Sequence, residues 1–256
     1  MRWRIDLEYD GGDFAGWQLQ PHVRTVQGVL ESALEAILGH PVRVGAAGRT
    51  DAGVHALQQV ASFVTSVERR PESILGGLNA NLPRDLAVVA AARVGDDFDP
   101  RRSPHVKCYR YRWLVRDTRS PLRRQSVWQV RWALDAARMD QAARCLVGEH
   151  DFTSFRAAGC SATHPVRIVE SVQVREEEDE VILEIRGRAF LRYMVRNIAG
   201  TLAEVGRGRI EPEEMAAILQ ARDRSKAGPT APSKGLVLAW IRYLECELGD
   251  QDEDQR

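Results

Sequence analysis

The chain has 256 residues, with 36 Lys and Arg against 36 Asp and Glu and a formal net charge of zero. Hydrophobic residues make up 44% and charged residues 28%, the balance of a soluble globular protein, which excludes an intrinsically disordered chain. The longest uncharged stretch, 52–67, contains His55, Gln58 and Gln59 and is too short and polar to span a bilayer; with Asp6 and Glu8 interrupting any leader, a cytoplasmic protein without membrane association is expected.

Trp3, Ile5, Leu7 and Tyr9 alternate with polar neighbours over 2–9, the period of a half-buried strand. Thr25 is placed to cap a helix whose apolar positions Val26, Val29, Leu30, Ala33, Leu34 and Ile37 recur at spacings of three and four. Gly39 and Pro41 end it. Val42 and Val44 are expected to start a second strand, which runs into a glycine-punctuated loop, AAGRTDAGVH (46–55). Leu57 to Val64 reads as a third strand, Pro71 to Leu78 as a short helix, and Leu86 to Val94 as a further strand.

The polar, proline-bearing stretch 95–105 predicts a boundary. It divides an N-terminal half, 1–104, from a C-terminal half, 105–244, and an acidic tail follows at 245–256. Val106 to Val115 alternates as a long strand, with Lys107, Tyr109, Tyr111 and Trp113 on one face. Helical patterns follow at about 135–147, 190–205 and 211–221, and strands near 166–175, 181–187 and 236–244. Strands and helices mix without a regular βαβ rhythm, which predicts an α+β fold with a mainly antiparallel sheet.

The zero net charge conceals two basic zones. Residues 101–131 carry ten Arg or Lys and one acid, Asp117; residues 186–209 carry six Arg and one acid, Glu204. Arginine dominates both, which suits bidentate contact with phosphate and points to a polyanionic partner. Acidic runs at 176–180 and in the tail balance them. The four cysteines form no CxxC pair and the six histidines no HxxxH pair, so neither disulfides nor a metal are expected. No GxGxxG or Walker string supports a nucleotide cofactor.

The most informative stretch is Gly48-Arg49-Thr50-Asp51-Ala52-Gly53-Val54-His55-Ala56. Glycines allow tight turns and close approach of a ligand, and an arginine near Asp51 would lower its pKa and hold it ionised as a base or nucleophile. The same spacing also fits an Asx-turn in which Asp51 bonds its own backbone.

This loop resembles the active-site motif of the TruA family of tRNA pseudouridine synthases. The resemblance extends to YDGGDFAGWQLQ (9–20), TVQGVLESAL (25–34), LNANLPRDLAV (78–88), KCYRYRW (107–113), GEHDFTSFR (148–156), GRAFLRYMVRNIAGTLAEVGRG (187–208) and AGPTAPSKGLVL (227–238), in the family's order. It implies a pseudouridine synthase fold, with two α/β halves around a central, mainly antiparallel sheet. Asp51 falls at the essential aspartate. Arg49 belongs to the same motif and would contact the flipped nucleotide. Tyr109 would pack on the target uracil, and Arg196 would pair with the catalytic carboxylate. The segment FDPRRSP (98–104) departs from the family's usual FHAR, with Asp99 and Pro100 replacing His-Ala while Arg101 is kept. The implied reaction converts uridines at about positions 38–40 of the tRNA anticodon stem-loop to pseudouridine, on a homodimer, without cofactor or metal. The route through the intermediate, covalent attack or removal of a C2′ proton, stays open.

On the residues alone, Tyr109 reads rather as a cross-strand core aromatic beside Tyr111 and Trp113, and Arg196 can be an ordinary exposed helix residue. Two other functions share the same features. A non-catalytic RNA-binding module would use the same basic zones, and a nucleoside glycosidase would use the same carboxylate but release free uracil.

Overall fold

The computed structural model describes residues 1–160 and 162–244; the acidic tail expected at 245–256 lies outside the described residues. Among them, ten strands form one sheet: β1 (Arg2–Tyr9), β2 (Gly45–Ala46), β3 (His55–Val64), β4 (Leu86–Val94), β5 (His105–Val115), β6 (Trp128–Val130), β7 (Gly148–Asp151), β8 (Val166–Glu177), β9 (Glu180–Gly187) and β10 (Leu236–Tyr243). Their order is β4-β1-β3-β10-β5-β9-β8-β7, with β2 on β3 and β6 on β5. Pairing is antiparallel except for β3 with β10 and β5 with β6. Five α-helices accompany it: α1 (Val26–Leu38), α2 (Pro71–Asn81), α3 (Ala136–Ala143), α4 (Met194–Gly206) and α5 (Glu214–Ala221). The α+β class with a mainly antiparallel sheet is therefore as the sequence predicts.

The last strand, β10, lies in the middle. Val237 and Leu238 align with His55 and Ala56 of β3, while Leu236 to Tyr243 run antiparallel to β5. The sheet thus passes without a break over the β4–β5 connection at 95–104. Its apolar faces share one core in which Trp3, Tyr111 and Trp113 are each 0% exposed.

Local chemistry accounts for most element ends. The Thr25 hydroxyl accepts from the Gly28 amide at 3.2 Å at the start of α1, and Gly39 closes the helix at φ 76°. The strand expected from Val42 is absent, and only Gly45–Ala46 pair with β3. The reason lies in α1: Glu31 accepts the Val44 amide at 3.0 Å, and the Gln27 amide donates to the Val44 carbonyl at 3.3 Å. Side chains have taken the groups a ladder would use. The helix expected from 190 begins only at Met194, because Tyr193 adopts φ 63°. The very short β6 and β7 have too few residues for an alternating signal in the sequence.

The segment 227–232 grips α4. The Arg224 guanidinium donates to the carbonyls of Ala227 and Gly228 and to the Asn197 side chain; Asn197 also accepts from Thr230 and donates to the Phe155 carbonyl at 2.8 Å. The approach is so close that a Cβ on Gly200 would fall on the Pro229 carbonyl oxygen. Gly200→Ala is therefore expected to destabilise the fold by about 1–3 kcal/mol, read as a lower midpoint in urea unfolding.

Candidate active site

The loop 47–54 connects β2 to β3 and is clamped from several sides. The Trp17 amide donates to the Thr50 carbonyl at 3.0 Å, and the Gly53 amide to the Phe14 carbonyl at 3.2 Å. The Tyr9 and Thr50 hydroxyls share a hydrogen bond of 2.9 Å, and Gln59 donates to the Gly48 carbonyl at 2.9 Å. Gly16 and Gly53 hold φ 94° and 75°, conformations that side chains disfavour. Burial of Tyr9 pushes its hydroxyl up to about 12, so it stays protonated beneath the loop.

Asp51 projects from this frame. Its turn is closed by the main chain, with the Val54 amide donating to the Asp51 carbonyl at 3.1 Å. The carboxylate instead meets the entry to α4: the backbone amide of Tyr193 faces it, and the charges of Arg196 and Arg192 bear on it. Tyr193 is the N-cap of α4 and sits in the left-handed region at φ 63°, a costly conformation for a bulky residue and typical of functional sites. The amide at the positive end of a helix is thereby aimed at the acid.

Two arginines enclose Tyr193. The guanidinium carbons of Arg196 and Arg192 lie 4.6 and 4.9 Å from its ring centroid. Arg196 is fixed further by donating from Nε to the Ala231 carbonyl at 2.8 Å, while the Ala231 amide donates to the Arg196 carbonyl at 3.1 Å. The grip of 227–232 on α4 is thus also the grip on Arg196.

Tyr109 stands on β5 opposite Leu238 of β10 and Ile185 of β9, 8% exposed, with its ring edge-on to Phe190 at 5.2 Å between centroids. Burial raises its hydroxyl far above the usual range, and Tyr9 and Asp51 push the same way. Asp51, Tyr109 and Arg196 are therefore brought together. Arg49 is exposed, and its charge is not among those that act on Asp51.

The electrostatics also differ from the expectation. Burial outweighs the arginines, and the Asp51 pKa lies above its ordinary value of 3.8 rather than below it. The structure adds Arg192, Tyr193 and Phe190 to the site. The signal available was an aromatic and basic run, Phe190 to Tyr193, placed directly before a helix.

Several arginines of the basic zones are already paired. Glu184 binds Arg110 and Arg186, Glu180 binds Arg112 and Arg123, and Asp179 binds Arg123 at 2.6 Å. Part of the acidic run at 176–180 thus neutralises neighbouring strands. Among the described residues Arg101, Arg102, Arg116, Arg119, Arg192 and Arg196 have no carboxylate within bridging distance, so the remaining positive charge includes the two arginines that face Asp51. No group of three or more His, Cys, Asp or Glu among these residues could hold a metal ion, and no helix is long and apolar enough to cross a membrane.

Residues 7–101 and 142–244 match the tRNA pseudouridine synthase family. The chain belongs to this family. Relatives named tRNA pseudouridine synthase A align over most of its length. The tRNA pseudouridine synthase A of Myxococcus xanthus is 50% identical over 95% of this chain and 92% of its own length. Those of Methylobacterium nodulans and Geobacter sulfurreducens are each 46% identical, over 96% and 94% of this chain and 98% of their own lengths. The family's matched segments include the Asp51 loop, the α4 entry and β10, while 102–141 lies between them.

Proposed function

We propose that the protein isomerises uridines of tRNA to pseudouridine at about positions 38–40 of the anticodon stem-loop, with Asp51 as the catalytic carboxylate. The observation that carries this reading is the convergence on Asp51 of a helix-entry amide and two arginines beside a buried tyrosine ring. Arg196 and Arg192 steady the carboxylate's charge. Tyr109 provides an aromatic face for the extruded uracil, and exposed Arg49 contacts the backbone of the flipped nucleotide.

The chemistry balances with one carboxylate. The N1–C1′ bond breaks, the uracil turns, and C5 joins C1′; the proton lost from C5 is matched by one gained at N1. Composition is unchanged, and neither oxidant nor cofactor is consumed. Asp51 can act by attacking the nucleoside or by removing the C2′ proton, and both need it ionised. Extruding a stacked base costs a few kcal/mol, offset in part by about 1–3 kcal/mol of stacking on an aromatic ring.

The unpaired arginines are suited to phosphate contacts that supply the remaining affinity. In this reading residues 1–104 bring the Asp51 loop and 105–244 bring Tyr109 and Arg196. Two copies act together in the cytoplasm, with one tRNA reaching across both and no metal taking part.

Incubation with an unmodified tRNA transcript, followed by mapping of isomerised bases, tests the reading. Pseudouridine is expected within the anticodon arm, with no free uracil and a steep loss of affinity with added salt. Release of uracil would identify a glycosidase instead, and binding without product would leave only an RNA-binding module.

A further inference from the structure

One cation beside the Asp51 loop has no part in the steps above. Lys107 lies on β5 two positions before Tyr109, so both side chains emerge on the same face about 7 Å apart along the strand. It is 8% exposed. Its Nζ lies 3.0 Å from where a Cβ on Gly48 would sit, resting against the residue that leads into Arg49, Thr50 and Asp51. Gly48 leaves the room the ammonium occupies.

The groups facing Lys107 offer it no counter-charge. Arg101, from the turn before β5, and His105, on its own strand, are the titratable neighbours that interact with it. Its cross-strand partners, Gly187 of β9 and Ile241 of β10, carry no ionisable side chain. Among the described residues no carboxylate acts on it. Burial and the charge of Arg101 bring its pKa down to about 8. Burial likewise holds His105 below its ordinary value, so that ring is mainly uncharged at neutral pH. Burying an ammonium next to another cation costs folding free energy unless an anion joins them. Arg101 acts on Lys107 beside the Asp51 loop, and the acid nearest Arg101 in the chain, Asp99, accepts the Arg101 and Arg102 backbone amides at 2.8 and 3.0 Å and forms no ion pair with either cation, so the two cations are left to share an oxyanion.

We propose that Lys107 and Arg101 bind a phosphodiester of the RNA strand flanking the uridine that enters between Tyr109 and Asp51. This rests on the functional reading above and gives it a further substrate contact. The bound phosphate keeps Lys107 protonated. Affinity for tRNA therefore falls as pH rises through about 8, where the free protein loses that proton.

The test is equilibrium binding of an unmodified tRNA transcript to the full-length protein between about pH 7 and about pH 9, with thermal unfolding in parallel. Lys107→Met is expected to weaken binding roughly 10- to 100-fold at neutral pH, to lower the slope of log affinity against log salt by about 1, and to remove the alkaline fall. Its Tm without RNA should be unchanged or higher, because an unpaired buried charge has been removed; a merely structural lysine would lower it. Lys107→Arg, charged throughout this range, should bind without the alkaline fall. Wild-type affinity that is flat across the pH range would overturn the proposal without any variant. So would a folded Lys107→Met with unchanged affinity and salt slope, and if wild-type turnover on the same transcript is normal, the site alone is lost. Absence of pseudouridine from the wild-type reaction would remove the functional reading and this site together.

Discussion

Asp51→Asn should form no detectable pseudouridine, a loss of at least about 10³–10⁴-fold in turnover, while still binding tRNA with near wild-type affinity. The amide keeps the shape of the side chain but can neither attack the nucleoside nor take its proton. Stability should move the other way. Burial places the Asp51 pKa in the folded protein above its ordinary value. Such a carboxylate contributes stability below its unfolded pKa and loses that contribution as pH rises through its folded pKa; at neutral pH it is a net cost to the fold. A carboxamide does not ionise, so the variant's Tm at neutral pH is expected to exceed that of the wild type. Higher Tm with lost turnover would mark Asp51 as a residue held for chemistry at the expense of stability. Measurable turnover by a pure preparation of the variant would remove the carboxylate from the reaction.

Arg196→Gln should lower kcat about 10²–10³-fold and move the acidic limb of the pH profile of kcat/KM to higher pH. The direction follows from the charges around Asp51. Desolvation raises its pKa, and Arg196 is the largest influence opposing that rise, followed by Arg192 and the Tyr193 amide. Removing Arg196 lets desolvation prevail further, so a larger fraction of Asp51 is protonated and inactive at any given acidic pH. Arg192→Gln should shift the limb the same way by a smaller amount. An unshifted limb in Arg196→Gln would mean that the arginine serves substrate binding alone. The comparison should be made above and below KM, since a binding defect raises KM and leaves the limb of kcat in place.

The regular elements were legible because the forces that form them are local. Alternation at Trp3, Ile5, Leu7 and Tyr9 gave β1, and the Thr25 cap with its three- and four-residue spacing gave α1. What escaped depended on partners distant in the chain. The Val44 backbone is claimed by Glu31 and Gln27, and no pattern within 41–46 records that. At the site, Asp51, Tyr109 and Arg196 stand out through resemblance to a family, whereas spacing alone does not reveal which arginines act on the carboxylate. Arg49 is two residues from Asp51 in sequence, yet the guanidiniums that act on the carboxylate come from 192 and 196. Sequence proximity says little about charge proximity in an irregular loop, where the backbone and not the spacing decides which way each side chain points. The rise in the Asp51 pKa was equally invisible, because it arises from burial by elements the loop does not contain.

The central place of β10 orders events during synthesis. Until residues 236–243 leave the ribosome, β3 and β5 each lack a neighbour, and the seam on which Asp51 and Tyr109 meet does not exist. Until then β2 alone covers that edge of β3 and β6 alone that edge of β5, which leaves unpaired backbone prone to mispairing. Closure waits for a long-range contact between 237–238 and 55–56, a slow step for this topology. A ribosome stalled short of that strand would hold an inert precursor. Competence for modifying RNA arrives at once, with the insertion of β10.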